Sequence, residues 1–130
     1  MVTVFTNGCF DLLHRGHVEL LKYCDTLGDK VIVGLNSDAS IKRIKGSSRP
    51  INSQKDRMYM LLALKYVDEV IIFNDDTPYN VIKLLKPDII VKGGDYEQQD
   101  VIGNDIAKVK IFNYVNGYST TKIIADLIDR

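Results

Sequence analysis

The sequence predicts an α/β protein, folded as a single doubly wound, Rossmann-like domain with a five-stranded parallel sheet and helices on both faces. Three observations predict it. Five short apolar segments recur along the chain, helical patterns separate them, and 130 residues are enough for one ordinary domain, here 1–130. The segments are apolar nearly throughout, so we expect both faces of the sheet to be covered.

The strands follow from runs rich in β-branched residues, each four to six residues or slightly shorter in length. In chain order they are residues 2–6, 31–35, 70–73, 89–91 and 109–112. Strands that alternate with helices pair in parallel, and ligands of such sheets bind beyond the carboxyl ends of the strands. The loops that follow strands, 7–16, 36–56, 92–107 and 114–120, are therefore the expected site.

The helices follow from apolar residues at helical spacing. They are expected between 18 and 27, between 58 and 64, and between 81 and 85, where Pro78 and Pro87 mark the boundaries. A last helix begins in the Ser-Thr-Thr of 119–121 and carries Ile123, Ile124, Leu127 and Ile128 on one face. The whole of 36–56 is predicted to be a loop.

Composition excludes several classes of protein. Seventeen basic and 17 acidic residues cancel, so no global field favours nucleic acid or an anionic membrane as a partner. No apolar run approaches the roughly 20 residues of a membrane span, and MVTVFTNG lacks the features of a signal peptide, so a cytoplasmic protein is expected. Cys9 and Cys24 form neither a disulfide framework nor a zinc motif.

The first candidate loop, FTNGCFDLLHRGH, holds both histidines of the chain, His14 and His17. Gly8 and Gly16 bracket the loop, and a helix opens at its end, so unpaired backbone N–H groups and the helix dipole favour an anion there. Imidazoles add donors that can also be charged. The alternative is that two surface histidines lie close by chance. The chain has no GxxxxGK[ST] and no GxGxxG, so any phosphate site is of another kind.

The other loops also carry groups that suit anions. Between 42 and 57 the bases are Lys42, Arg43, Lys45, Arg49, Lys55 and Arg57, against the single acid Asp56. This cluster is interpreted as a mobile phosphate clamp, with a solvated charged loop as the alternative. VKGGDY allows backbone to approach a flat ligand, or is only a tight turn. NGYSTTK offers three hydroxyls, of which a plain N-cap needs one.

Two of these motifs together carry a resemblance to a known family. GCFDLLHRGH resembles the HxGH loop of the nucleotidyltransferase superfamily that includes the cytidylyltransferases, and GYSTTK resembles its second motif, commonly GISTTK. FTNGCFDLLHRGHVELL, VGLNSDASIKRIKGSSRPI, VKGGDY and GYSTTKII are similar to the adenylyltransferase domain that makes ADP-heptose from D-glycero-β-D-manno-heptose 1-phosphate. That domain often follows a sugar kinase in one chain, but 130 residues leave no room for the kinase, so here we expect a stand-alone transferase.

The nearest rival is the glycerol-3-phosphate cytidylyltransferase group, which uses CTP. In that group an arginine helps to bind cytosine in a stretch like RTEGISTT, and Tyr114 stands at its place in YVNGYSTT. The missing arginine counts against cytidine, and VKGGDY with SRPIN favours the heptose branch. A non-catalytic nucleotide-binding module is an alternative of another class, although the HxGH motif and the basic loop are both intact.

The resemblance implies attack of a phosphate monoester on the α-phosphate of a nucleoside triphosphate. His14 and His17 would then donate to phosphate oxygens, and Lys45 (or failing it Lys42) and Arg57 would clamp the phosphates. The nucleotide would be bound by Gly8, Cys9, Phe10, Asp11, Gly16, Lys92, Gly93, Asp95, Tyr118, Ser119, Thr120 and Thr121. Mg²⁺ would come with the triphosphate and not from a protein metal site. Asp11 and Asp38 would contact the acceptor or orient loops, and a homodimer is expected.

Overall fold

The computed structural model describes residues 1–113 and 120–128, with the side chains of residues 120 and 121 excepted. The strands are β1 (Thr3–Gly8), β2 (Lys30–Asn36), β3 (Glu69–Phe73), β4 (Ile89–Gly93) and β5 (Lys108–Phe112). The helices are α1 (Arg15–Leu27), α2 (Asp38–Lys45), α3 (Gln54–Leu62), α4 (Tyr79–Leu85) and α5 (Thr120–Ile128), with a 3-10 turn at Gln98–Asp100.

The five strands form one parallel sheet in the order β3-β2-β1-β4-β5. Its two faces bury different sets of residues. On one face Val4, Val33 and Val91 pack with Leu21 of α1 and Leu61 of α3. On the other face the core consists of Phe5, Ile32, Ile82, Ile90, Val101 and Val109, with Ile82 contributed by α4. The predicted doubly wound sheet with helices on both faces is confirmed.

The prediction of a continuous loop over 36–56 is wrong. Asp38–Lys45 is helix α2, and α3 begins at Gln54. Ser37 caps α2 by accepting a hydrogen bond from the Ser40 N–H at 3.1 Å, and Gly46 ends it with a φ of +101°. Only Ser40 and Ile41 of this helix are buried, so it lacks the apolar periodicity that predicts the other helices.

The central strand β1 and its neighbour β4 separate towards their carboxyl ends. β1 and β4 pair only at Val4 with Ile89 and at Phe5 with Ile90. Beyond that point the buried Thr6 hydroxyl donates to the Val91 carbonyl at 2.8 Å, in place of a backbone bond. The chain runs from β1 to β2 on one side, and β4 lies on the other, so this is the switch point where open α/β sheets form a crevice.

None of the helices within residues 1–113 and 120–128 combines the length and the apolar character that a membrane span requires.

Candidate active site

A cleft of about 400 Å³ lies at the switch point, over the carboxyl ends of β1 and β4. Three parts of the chain line it. They are the end of β1 with the following loop and the first turn of α1, the end of α2 with the segment that follows, and the end of β4 with the loop after it. Its lining residues are Asn7, Gly8, Cys9, Phe10, Asp11, His17, Ile44, Lys45, Arg49, Lys92 and Tyr96. The loops predicted to meet at one edge of the sheet therefore do meet, as far as the described residues show.

The two histidines cap the first turn of α1. His14 is the N-cap residue, and its Nδ1 accepts a hydrogen bond from the Gly16 N–H at 3.1 Å. His17 lies three residues on, and its Nδ1 accepts from the His14 N–H at 3.2 Å. This reciprocal pattern is a capping box built from imidazoles. The expectation of unpaired N–H groups in this turn is thus wrong for Gly16, because the histidine itself takes that bond.

The caps determine where each imidazole carries its proton. An Nδ1 that accepts a hydrogen bond is unprotonated, so in the neutral ring the hydrogen is on Nε2. The two rings stack with centroids 3.8 Å apart and planes 25° apart. Each histidine therefore presents its Nε2–H as a donor, while its other nitrogen holds the ring in place.

Both imidazoles are neutral at neutral pH in this environment. Burial lowers the pKa of His14. Burial, then the nearby His14 and Lys45, lower the pKa of His17 from 6.5 to about 4. Two stacked imidazolium cations would repel each other strongly. The expected imidazole donors are present, but as neutral N–H groups and not as charged ones.

The loop before the histidines holds a strained backbone. Phe10 and Leu12 both have a positive φ, +47° and +55°, a region that side chains other than glycine seldom occupy. Phe10 is buried, and its ring centroid lies 5.2 Å from that of His17. Such residues cost of order 1–3 kcal/mol each and persist only where surrounding contacts fix them. The Phe10 ring packs against His17, which links this strained conformation to the histidine pair.

Arg57 is enclosed beneath the cleft and does not line it. The residue is 1% exposed. Its Nη1 donates to the carbonyls of Cys9 and Asn36, both at 2.8 Å, and its Nε donates to that of Asn52 at 3.0 Å. Nη2 donates to Asp38 Oδ1 at 2.7 Å. The expected phosphate clamp by Arg57 is therefore corrected: its donors hold the loop after β1, the end of β2 and the start of α2 together.

Asp11 and Asp38 orient loops, the second of the two roles expected for them. Asp11 is 3% exposed, and its carboxylate accepts from the Ile51 N–H at 2.6 Å and the Asn52 N–H at 2.9 Å. Asp38 pairs with Arg57. The hydrogen bonds of Asp11 join the loop after β1 to the segment that carries Arg49, and both Asp11 and Arg49 line the cleft.

Three cations line the cleft. Lys45, the preferred member of the basic cluster, is at the end of α2, and Arg49 and Lys92 face the same space. Lys42 is not among the residues that line it. Arg43 is bound elsewhere, to Asp76 at 2.9 Å and to the Asn74 carbonyl. The cluster in the sequence therefore divides into two cleft cations, one buried strut, one surface pair and the exposed Lys42 and Lys55.

The remaining predicted residues fall into three groups. Gly8, Cys9 and Phe10 line the cleft, and burial raises the pKa of the Cys9 thiol despite nearby cations, so the thiol is protonated. Gly16 is buried in the first turn of α1, Gly93 ends β4, and Asp95 is exposed in the loop after it. Tyr118, Ser119 and Tyr114 lie outside the described residues, as do the side chains of Thr120 and Thr121.

Four residues of the cleft were not predicted from the sequence: Asn7, Ile44, Arg49 and Tyr96. Arg49 belongs to the basic cluster and Tyr96 is the last residue of VKGGDY. Both lie in loops that follow strands, so this position could have predicted them. Within the described ranges no group of three His, Cys, Asp or Glu residues is placed to hold a metal ion.

A doubly wound sheet with a histidine pair and cations at its switch point is the arrangement expected of the HxGH nucleotidyltransferase superfamily. A family model described as cytidylyltransferase-like matches residues 5–126, and the chain belongs to this family. The expected superfamily is thereby confirmed.

Curated relatives show which members of the family this chain is similar to. The chain is 60% identical over 122 residues to the bifunctional protein HldE of a Nitratiruptor species, covering 93% of this chain and 26% of that protein. It is 56% identical over 127 residues to the bifunctional protein HldE of Campylobacter concisus, covering 97% of this chain and 27% of that protein. The chain thus spans about a quarter of the length of these curated relatives.

Solved structures show the same fold. The crystal structure of a lipopolysaccharide core biosynthesis protein from Thermoplasma volcanium matches with a TM-score of 0.74 and 31% identity, over 92% of this chain and 99% of that one. A pantoate-beta-alanine ligase from Francisella tularensis matches with a TM-score of 0.63 at 13% identity, covering 99% of this chain and 72% of that one, which is a likeness of fold alone.

Proposed function

We propose that the protein transfers AMP from ATP to the phosphate of D-glycero-β-D-manno-heptose 1-phosphate and releases pyrophosphate. The observation that carries the reaction type is the stacked pair of neutral imidazoles next to a cleft lined by Lys45, Arg49 and Lys92. The heptose and adenine are supported by the motif resemblance and by the similarity to the bifunctional HldE proteins.

The reaction needs little covalent chemistry from the protein. A phosphate oxygen of the acceptor attacks the α-phosphorus, a new P–O bond forms, and the bond from the α-phosphorus to the bridging oxygen breaks, so that pyrophosphate leaves with its charge. The nucleophile is already an anion and needs no general base. Neutral Nε2–H donors stabilise the charge that grows on phosphate oxygens, at no cost of reorganisation, because the caps already hold the rings.

Charge explains why we include Mg²⁺ in the proposal. A phosphate monoester carries close to two negative charges at neutral pH, and the triphosphate carries more. The cleft offers Lys45, Arg49 and Lys92 against Asp11, and both histidines are neutral. The charge of the two substrates together exceeds what these groups offset. Mg²⁺ bound to the oxygens of the triphosphate would offset the remaining charge.

One experiment tests both substrates together. The protein is mixed with Mg²⁺ and with each pairing of ATP or CTP with heptose 1-phosphate or glycerol 3-phosphate, and pyrophosphate is measured. Release with ATP and heptose 1-phosphate alone supports the proposal. Release with CTP and glycerol 3-phosphate instead identifies a glycerol-3-phosphate cytidylyltransferase, and binding of nucleotide without release from any pair identifies a non-catalytic module.

The expected homodimer also stays a proposal. Helix α3 exposes Tyr59, Met60 and Leu62, three large apolar side chains of the kind that a second copy would cover. Light scattering after size exclusion measures the mass in solution, and a monomer over the working concentration range would contradict the dimer.

A further inference from the structure

A second hollow adjoins the cleft on the side of α4. Its volume is about 210 Å³, and it shares Asn7, Lys92 and Tyr96 with the cleft. The rest of its lining includes Pro78, at the start of α4, and Asp100 and Val101, at the end of the 3-10 turn. Asn7, Lys92 and Tyr96 thus form the border between the two spaces, so a ligand in the hollow lies directly beside the cleft cations.

The wall of this hollow is fixed to the core of the protein. Val101 is 4% exposed and packs with Ile82 and Ile90. Gly103 has a φ of +93°, and a Cβ there would lie 2.7 Å from Ile90 Cδ1, so the turn sits as close to the sheet as backbone can. The Asn104 amide donates to the Gln99 and Val101 carbonyls at 3.1 and 2.7 Å. The hollow is therefore preformed.

The lining offers hydrogen-bonding groups that the described parts of the chain leave unused. Within residues 1–113 and 120–128, no hydrogen bond or ion pair engages the Asn7 amide, the Tyr96 hydroxyl or the Asp100 carboxylate. The Tyr96 ring is held by Lys92, whose Nζ lies 4.9 Å from the ring centroid. Pockets for drug-sized ligands measure roughly 300–1,000 Å³, so this smaller space suits a single sugar ring better than a nucleoside.

We propose that this hollow binds the sugar of the acceptor, with the sugar's phosphate on Lys92 at the border and its distal hydroxyls on Asp100. The inference rests on the proposed function and specifies where its second substrate lies. Electrostatics orients the molecule, because the Asp100 carboxylate repels a phosphate and accepts hydrogen bonds from hydroxyls, whereas Lys92 attracts the phosphate. The nucleophilic oxygen then faces the cleft, where the α-phosphate of the nucleotide is held.

A matched pair of variants tests the inference. Asp100 and Glu97 belong to the same short segment and are both exposed, yet only Asp100 lines the hollow. Replacing Asp100 with Ala should raise the KM for heptose 1-phosphate about 10-fold or more, as loss of a hydrogen bond to a charged group does, and leave the KM for ATP within twofold. Replacing Glu97 with Ala removes the same charge nearby and should change neither.

Each other outcome has a definite meaning. If Asp100→Ala raises the KM for ATP and not that for the acceptor, the hollow holds the nucleoside and the inference is overturned. If the unchanged protein is active and both KM values survive in Asp100→Ala, the subsite is wrong while the function stands. If the unchanged protein releases no pyrophosphate from any pair, the proposed function fails. Calorimetric binding of heptose 1-phosphate then decides the subsite: a weaker Kd in Asp100→Ala alone supports it, and an equal Kd overturns it.

Discussion

Two substitutions of His17 separate the capping role of its ring from its role as a donor. The Oδ1 of an asparagine lies near the position of imidazole Nδ1, and the Nζ of a lysine reaches the region of imidazole Nε2 and is a donor only. His17→Asn therefore keeps an acceptor for the His14 N–H, which His17 Nδ1 now binds at 3.2 Å, and removes the donor. His17→Lys keeps a donor near the cleft and removes the acceptor, whereas a glutamine at this N3 position would restore the acceptor.

The size of each effect follows from the contact that is lost. Loss of one preorganised donor to a growing oxyanion costs about 10²–10³ in rate, so we expect a fall of about that size in kcat for His17→Asn. Loss of one hydrogen bond in the first helical turn costs about 1 kcal/mol, so His17→Lys should lower the free energy of unfolding by about that amount. The stability of His17→Asn should stay near that of the unchanged protein, and His17→Lys should lose less rate than His17→Asn.

Two measurements on the same preparations check this. Pyrophosphate release with ATP, Mg²⁺ and heptose 1-phosphate gives kcat, and urea denaturation at about neutral pH gives the free energy of unfolding. Arg15→Asn is the control, because Arg15 lies in the same helical turn, is exposed, and within residues 1–113 and 120–128 makes only a surface pair with Glu19 at 3.6 Å. It should change neither quantity by much.

Either of two results would contradict these roles of His17. Near-full turnover of His17→Asn would show that the Nε2–H of this residue does not act on the transition state. An equal loss of stability in both variants would show that the imidazole does not cap the helix through Nδ1. A loss of rate in His17→Asn, together with unchanged stability in both variants, would leave the donor role in place and exclude the cap.

Three further predictions concern the surrounding charges. Arg57→Met should lower the free energy of unfolding, measured by urea denaturation, by on the order of 3–5 kcal/mol, because it leaves Asp38 and three carbonyls without their donor. Arg43→Met breaks an exposed pair and should lower it by less than about 1 kcal/mol. Equal losses would contradict the structural role of Arg57. Lys45→Met should raise the KM for ATP by about 10-fold or more with Lys42→Met near the starting value, and the reverse order would move the clamp to Lys42. The pKa of His17 is lowered from 6.5 to about 4, so between these pH values the unfolded chain binds a proton that the folded protein does not. The free energy of unfolding should therefore fall by on the order of 3 kcal/mol as pH drops from 6.5 to 4. A His17→Asn variant with the same pH profile would exclude this cause.

The sheet could be predicted because each strand is a separate apolar run. Every one of the five has at least one buried residue, such as Phe5 or Val33, and such runs stand out against the charged segments between them. Helix α2 could not be found in this way. It turns only Ser40 and Ile41 towards the core, so its sequence reads as a charged loop although Ser37 and Gly46 mark its ends.

The basic cluster shows the limit of sequence reasoning for the site. Arg57 and Lys45 both follow a parallel strand in a stretch rich in cations, and nothing in the sequence distinguishes a buried strut from a cleft cation. The difference arises from contacts made across the chain, between Arg57 and the carbonyls of Cys9 and Asn36, which are 48 and 21 residues away. Only the folded structure determines which cations are enclosed.

The histidine spacing has two causes that act together. The N-cap and N3 positions of a helix are three residues apart, so His14 and His17 can form a capping box only at this spacing. The same spacing stacks the rings at 3.8 Å, which disfavours charge on both and keeps the Nε2 hydrogens in place as donors. A plain helix cap and a catalytic donor pair are therefore not alternatives here. Each Nδ1 accepts a backbone hydrogen bond, and this bond fixes the direction in which the Nε2–H of the same ring can donate.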